Sequence, residues 1–330
     1  MAALAATLST PFDREFLEET AIPPCQSGEL ETTVDAGGHG MTVRLPWRLL
    51  GRPGLPVLLV LGGINSGRKL ESWWSRQVGI GRSLDPTRFR LLSVDWADSE
   101  QQRQSPLLTQ DQAQAIEALA DHLGIQRLHG VIGASFGAMV GLALAERDRL
   151  FIDRLLLISG AHYSHPAATA ARHLQREIVR LAEVAGLPRT GLALARGLAM
   201  STYRTPELFA ERFNETDAVD RLQSLESYLG HVGHQFARRY EADQFLGLSE
   251  ALDLHQVDPS RIRVPATVVG VDSDQLVPLT QIRALAEGLA GPVALDVIQS
   301  RYGHDAFLTE HLRISKILNA CFKEKTHATA

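Results

Sequence analysis

The hydrophobic positions of this chain change rhythm several times. Near the start, ELETTVDAG and MTVRLPWRLL flank Gly37-Gly38-His39-Gly40, a turn signal that predicts an antiparallel hairpin. Short, solidly apolar runs follow: Val57–Leu61, Phe89–Val94, Leu128–Ile132, Ile152–Ile158, Ala266–Val271 and Val293–Ile298. Solid apolarity suits strands covered on both faces, as in a parallel sheet. Helical spacing of Ala and Leu separates several of these runs. Gln110–Leu123 ends at Gly124, and Leu279–Leu289 ends near Gly291-Pro292. Strands alternating with helices predict a doubly wound α/β sheet.

From Ser159 to about Asp258 the strand rhythm stops. ATAARHLQREIVRLAEVAG, TGLALARGLAMSTYR and SLESYLGHVGHQFARRY read as helices, and the block is too long for a plain connection. The chain therefore divides into a first part of an α/β core (residues 1–160), an inserted helical lid (161–258) and the rest of the core (259–330).

Composition narrows the class of partner. With 330 residues, 45% of them hydrophobic and 22% charged, the chain can bury a large core without staples. A formal net charge of -5 gives no general attraction to nucleic acid or to an anionic membrane. The two cysteines, Cys25 and Cys321, make neither a disulfide framework nor a metal set and are expected as free thiols. The opening MAALAATLSTPF lacks a basic segment and is broken by Thr7, Ser9, Thr10 and Pro11, so it is not read as a secretion signal. No stretch is long and apolar enough to span a membrane, and the expected location is the cytoplasm.

Gly133-Ala134-Ser135-Phe136-Gly137 follows an apolar strand and precedes the helical AMVGLALAERDR. This is the G-x-S-x-G pattern in its required context of strand, sharp turn and helix. The turn leaves no room for flanking side chains and lifts the serine hydroxyl above the sheet edge. The helix start behind it offers free N–H groups to a developing oxyanion. Ser135 is the expected nucleophile. Its partners should follow in the order acid, then histidine. Val271 runs into Asp272-Ser273-Asp274, where either acid is available, and Ile298 runs into Gly303-His304. The Gly-rich Leu61–Arg68, after the strand Val57–Leu61, matches no phosphate-binding fingerprint and is read as an oxyanion loop. Gly63 or Ile64 is its expected donor, with the N–H of Phe136 as the other. His162, His165, His231 and His234 lack the spacing of a ligand set, so no metal is expected. Trp73-Trp74 is expected to pack.

In combination these segments resemble the homoserine O-acyltransferases of the α/β-hydrolase superfamily. LGGINSGR followed by WW resembles their oxyanion loop, GASFGAMVGL their elbow, and GLALARGLAMSTYRTPELFAERF their substrate-binding lid segment. VDSDQLVPL resembles their acid loop and YGHDAFL their histidine loop. The resemblance implies an α/β-hydrolase fold and a triad of Ser135, Asp274 and His304, choosing Asp274 over Asp272. It implies Arg196 for the acceptor's carboxylate, with Tyr203 close by on nearly the same helix face, and Asp305 for its ammonium. Asp305 could also cap the helix starting at Ala306. Arg68 and Arg301 are the reserve cations. The segment DWADSEQQRQSPLLT is shorter and more polar than the family pattern and is expected to shape the donor entrance.

The implied reaction is transfer of an acyl group from acyl-CoA, as co-substrate rather than resident cofactor, to homoserine. Succinyl-CoA is favoured over acetyl-CoA by the oxyanion loop and the short chain. The resemblance also implies a homodimer touching through the lid. Serine as acceptor, an ester hydrolase on the same triad, and a ligand sensor on a hydrolase scaffold are the alternatives.

Overall fold

A computed structural model of the protein describes residues 24–100 and 105–322. The reading of the first residues, and the middle of the polar segment after Val94, lie outside it.

The chain opens with two long strands, β1 (Cys25–Ala36) and β2 (His39–Leu50), paired antiparallel with Ala36 opposite His39. Gly37 (φ 64°) and Gly38 (φ 87°) make the two-residue turn, which needs left-handed backbone at both positions. β2 buries Met41, Val43, Leu45, Trp47 and Leu49 on one face. Then come β3 (Val57–Leu61), the short α1 (Leu70–Trp73), β4 (Arg90–Val94) and α2 (Thr109–His122). The next units are β5 (Arg127–Leu128), β6 (Gly130–Ala134), α3 (Phe136–Arg147), β7 (Phe151–Ile152) and β8 (Leu155–Ile158).

Five helices follow without a strand among them: α4 (Pro166–Val184), α5 (Pro188–Tyr203), α6 (Pro206–Arg212), α7 (Ala218–Ala237) and α8 (Ala242–Asp253). They build a small core of their own around Val179, Leu192, Ala195, Phe236 and Phe245. Two glycines allow the helices to touch. A side chain at Gly191 would overlap Ala182 of α4, and one at Gly233 would overlap the Ala193 carbonyl of α5. The sheet resumes with β9 (Ala266–Val271), α9 (Leu279–Gly288) and β10 (Val293–Ile298), and the described chain ends in α10 (Ala306–Thr309) and α11 (His311–Phe322).

The main sheet has the order β1-β2-β4-β3-β6-β8-β9-β10, parallel from β4 to β10. Ser135, the acid loop and the histidine loop all leave the carboxyl ends of its strands, where α/β sheets collect their ligands.

Two expectations need correction. Leu128–Ile132 and Ile152–Ile158 are not single strands. Each breaks, and β5 pairs β7 in a separate two-stranded ribbon. The polar residues at the breaks take other partners. His129 donates its N–H to Val57 and its ring meets Asp153, which also pairs with Arg127. The second correction concerns β10. Despite its apolar sequence it is an edge strand, with Leu295 exposed, because among the described residues β9 alone pairs with it.

Candidate active site

Ser135 sits between β6 and α3 with φ 54° and ψ −121°, a strained backbone for a residue with a side chain. Its neighbours explain how the strain is held. A side chain at Gly133 would overlap the Gly137 carbonyl, and one at Gly137 would overlap the Leu61 carbonyl. The Ser135 N–H donates to Ile158 (2.8 Å) and its carbonyl accepts from Ala138 (2.9 Å). The turn is therefore fixed from both sides and the hydroxyl faces outward.

His304 lies in a 3-10 turn, Gly303–Asp305, and is 2% exposed. Its Nδ1 is 2.7 Å from Asp274 Oδ2 and its Nε2 is 2.8 Å from Ser135 Oγ. A carboxylate only accepts, so Nδ1 carries the hydrogen and the Nε2 lone pair is left for the serine hydroxyl. Asp274 is held in turn: its Oδ1 accepts from the N–H groups of Leu276 (2.9 Å) and Val277 (3.1 Å). Burial works against a charged His304 ring. The charge and hydrogen bond of Asp274, with Asp305 adding to them and Arg172 opposing, hold its pKa above the ordinary imidazole value. Asp272, the other acid considered, instead accepts from the Ser300 N–H (3.0 Å) and braces the histidine loop.

Gly63 passes close to the nucleophile. A methyl built on it would be 3.8 Å from Ser135 Cβ, an ordinary contact. Ile64 follows in the same loop. The Phe136 N–H begins α3, where no intrahelical acceptor exists for it.

Arg196, on α5, stands over the rings of Tyr203 (5.3 Å) and Phe236 (5.7 Å). No ion pair is recorded for it among the described residues. Tyr203 in turn lies 5.4 Å from the His304 ring. Burial pushes the Tyr203 hydroxyl up, against the pull of Arg196 and Arg172, so it remains a proton donor. Asp305 stands at the N-cap position of α10, but its side chain makes no capping bond. Its carboxylate accepts from Arg204 Nε (3.1 Å). The reserve cations are both engaged, Arg68 with Asp95 (2.7 Å) and Arg301 with Glu211.

A family model described as the alpha/beta hydrolase fold matches residues 56–311. A homoserine O-succinyltransferase of Xanthomonas campestris pv. campestris is 42% identical over 313 residues, covering 91% of this chain and 85% of its own. The chain belongs to the homoserine O-acyltransferase family. A homoserine O-acetyltransferase of Thermus thermophilus is 35% identical over 280 residues, covering 76% of this chain and 72% of its own. The crystal structure of homoserine O-acetyltransferase from Bacillus anthracis shares the fold, with a TM-score of 0.81 at 15% identity, covering 91% of this chain and 98% of that one.

In this acyltransferase-family chain several residues around the site escaped the sequence reading. Ser273 ties the acid loop to the histidine loop, donating to Ser300 and accepting from the Gly303 N–H (3.1 Å). Arg172 and Arg176 share one carboxylate, Asp253 (2.6 Å each), leaving a surplus positive charge whose field reaches His304 and Tyr203. Arg172 also donates to Ser164. Nothing in a motif marks these residues, since their partners lie far away in sequence. Trp73 and Trp74 pack as expected, stacked 5.1 Å apart. Of the histidines weighed as ligands, His165 accepts from the Ala167 N–H at the start of α4, and His231 lies 3.5 Å from Gln235. Among the described residues no group of three or more His, Cys, Asp or Glu is arranged to hold a metal. Cys25 and Cys321 are both free.

Proposed function

We propose that this enzyme transfers a succinyl group from succinyl-CoA to the hydroxyl of L-homoserine, through an acyl-Ser135 intermediate, on the route to methionine. The observation that carries the reading is the unbroken relay Ser135–His304–Asp274, with Arg196, which forms no ion pair among the described residues, over the Tyr203 ring that faces His304. The relay makes a nucleophile. It does not recognise an amino acid, and Arg196 supplies a fork for a carboxylate.

His304 Nε2 takes the Ser135 proton as Oγ attacks the thioester carbonyl. The carbonyl oxygen becomes an anion facing the N–H of Phe136 and one of Gly63 or Ile64. The intermediate collapses, the C–S bond breaks, and the thiolate of CoA leaves with the proton from His304. Homoserine then enters with its carboxylate on Arg196 and its ammonium toward Asp305, near the Tyr203 hydroxyl. Its hydroxyl gives its proton to His304 and attacks the acyl carbon. The second intermediate returns the proton to Ser135 as the product ester is released. Water competes with homoserine at this step, and the lid helices reduce its access.

The succinyl donor is favoured by the greater identity to the succinyl-using relative. The group of Arg172, Arg176 and Asp253 carries one net positive charge, which suits a donor that ends in a carboxylate. A CoA-release assay with succinyl- and acetyl-CoA, each against homoserine and serine, tests the whole reading. The expected result is fast release only with succinyl-CoA and homoserine together. Equal release without any amino acid would make the enzyme a hydrolase. Faster turnover of serine, or of acetyl-CoA, would overturn that part of the assignment.

A further inference from the structure

The loop that passes over Ser135 is held almost entirely by its carbonyls. Gly62 O accepts from the Gly137 N–H (2.8 Å), and Gly63 O accepts from Ser66 N (3.0 Å) and from the indole of Trp96 (3.2 Å). A trans peptide is planar, with its C=O and N–H pointing in opposite directions. Holding the Gly63 carbonyl therefore aims the next N–H, that of Ile64.

Trp96 is unusual in touching both halves of the candidate oxyanion site. Its N–H holds the Gly63–Ile64 peptide, while its ring meets the Phe136 ring edge-on at 4.7 Å. Phe136 carries the other donor. Both rings are buried, Trp96 5% exposed and Phe136 fully covered. The indole is itself fixed by its neighbours. Asp95 accepts from the backbone and the guanidinium of Arg68 (2.7 Å each). Ala97 is clasped by the carboxamide of Gln112, which accepts from its N–H (2.8 Å) and donates to its carbonyl (3.0 Å). The segment after β4 thus turns inward at Asp95–Ala97 and braces the catalytic loop, where the sequence suggested only a donor entrance.

We infer that Trp96 is a positioning residue: its indole N–H sets the angle of the Gly63–Ile64 peptide, and through it the strength of oxyanion stabilisation in both half-reactions. The inference rests on Ser135 being the acylated nucleophile. It adds that the oxyanion loop owes its aim to a side chain outside the loop.

The test compares the parent enzyme with Trp96→Phe, which keeps an aromatic ring against Phe136 and loses the N–H. Intact mass first shows the acyl adduct on Ser135 of the parent; its absence overturns the nucleophile and this inference together. With the adduct present, the pre-steady-state burst with p-nitrophenyl acetate reads acylation without CoA or homoserine. Trp96→Phe is expected to lower the acylation rate about tenfold, less than the roughly hundredfold loss typical of removing an oxyanion donor outright. The KM for homoserine is expected to stay unchanged. Affinity for a trifluoromethyl ketone, which adds to the serine as an anionic hemiketal, should fall in parallel with the rate. A burst rate within twofold of the parent overturns the inference. So does a slowed burst with unchanged ketone affinity, because the defect then lies outside the oxyanion. If Trp96→Phe does not fold, the benzothienyl analogue of tryptophan at position 96 removes the N–H alone, and the same two readouts decide.

Discussion

At the scale of single residues, the site depends on charge arranged around one imidazole. Asp274 Oδ2 accepts the hydrogen on His304 Nδ1, and in the proposed reaction it would stabilise the ring as that ring takes the serine proton. Asp274→Asn is expected to slow acylation on the order of 10⁴-fold, the loss seen for such a change in a serine protease. Asp272→Asn, which alters the acceptor of the Ser300 N–H rather than of the His304 ring, should cost far less. Stopped-flow CoA release on both variants checks the choice between the two acids, and a crippled Asp272→Asn would reverse it. The same charges set the pH profile. His304 works as a base only when neutral, and its pKa is raised, so the acid limb of acylation should lie above the ordinary imidazole pKa. Asp305 raises that pKa and Arg172 lowers it. Asp305→Asn should therefore move the acid limb to lower pH, and Arg172→Gln should move it to higher pH. Shifts in the same direction would contradict the electrostatics. Arg196 is proposed to act on the acceptor alone. Arg196→Ala should leave the CoA burst intact and raise the homoserine KM by a factor corresponding to roughly 2–5 kcal/mol, the cost of removing one partner of a buried charge pair. An unchanged homoserine dependence would remove Arg196 from the acceptor site.

At the scale of elements, the sequence was most informative where local chemistry and tertiary role agree. The elbow around Ser135 is legible because a strained turn between a buried strand and a helix demands glycine on both sides, and both glycines are in the motif. The acid loop and His304 are legible because each follows a strand end, but strand position leaves Asp272 and Asp274 equal, and only the resemblance chooses Asp274. Arg196 and Asp305 came only from resemblance. The breaks at His129 and Asp153 were missed because apolar content does not say which neighbouring strand a backbone pairs with. The cluster of Arg172, Arg176 and Asp253 was missed because it joins two ends of the helical block. His255, just after α8, shows how that block is anchored. Its Nδ1 accepts from Thr109 Oγ1 (2.7 Å) and its Nε2 donates to the Ala161 carbonyl (3.1 Å). Burial pushes its pKa down to about 3, so the folded ring stays neutral while an unfolded one would protonate near the ordinary value of 6.5. The anchor's contribution to stability is thus complete above that ordinary value. It is lost as pH falls toward about 3, by at most about 1.4 kcal/mol per pH unit. Urea unfolding of His255→Gln across this window should show a flatter pH dependence than the parent. Parallel curves would mean that His255 is not the group responsible.

At the scale of the whole molecule, two surfaces differ in character. The carboxyl end of the sheet gathers Ser135, Asp274 and His304. The outer side of the helical block exposes Leu174, Leu181, Val184, Leu187 and Leu194, with Val184 90% exposed. Leu174, Leu181 and Val184 fall on one face of α4 by their seven- and three-residue spacing. An apolar band of this kind is an expected contact surface, and a second copy of the chain is the expected partner. Light scattering should give about twice the 36.1 kDa chain mass, and Leu181→Asp with Val184→Asp should return it to one chain. A parent mass of one chain would contradict the dimer. No described helix is long and apolar enough to cross a membrane. The central claim, that the acyl group passes through Ser135 on its way to an amino acid, is tested most directly by intact-protein mass spectrometry. Incubation with succinyl-CoA alone should add one succinyl group, mapped to Ser135 and missing from Ser135→Ala. Homoserine should then remove it within the turnover time, yielding O-succinylhomoserine rather than free succinate. An adduct on Cys25 or Cys321, or turnover with no adduct at all, would contradict the account.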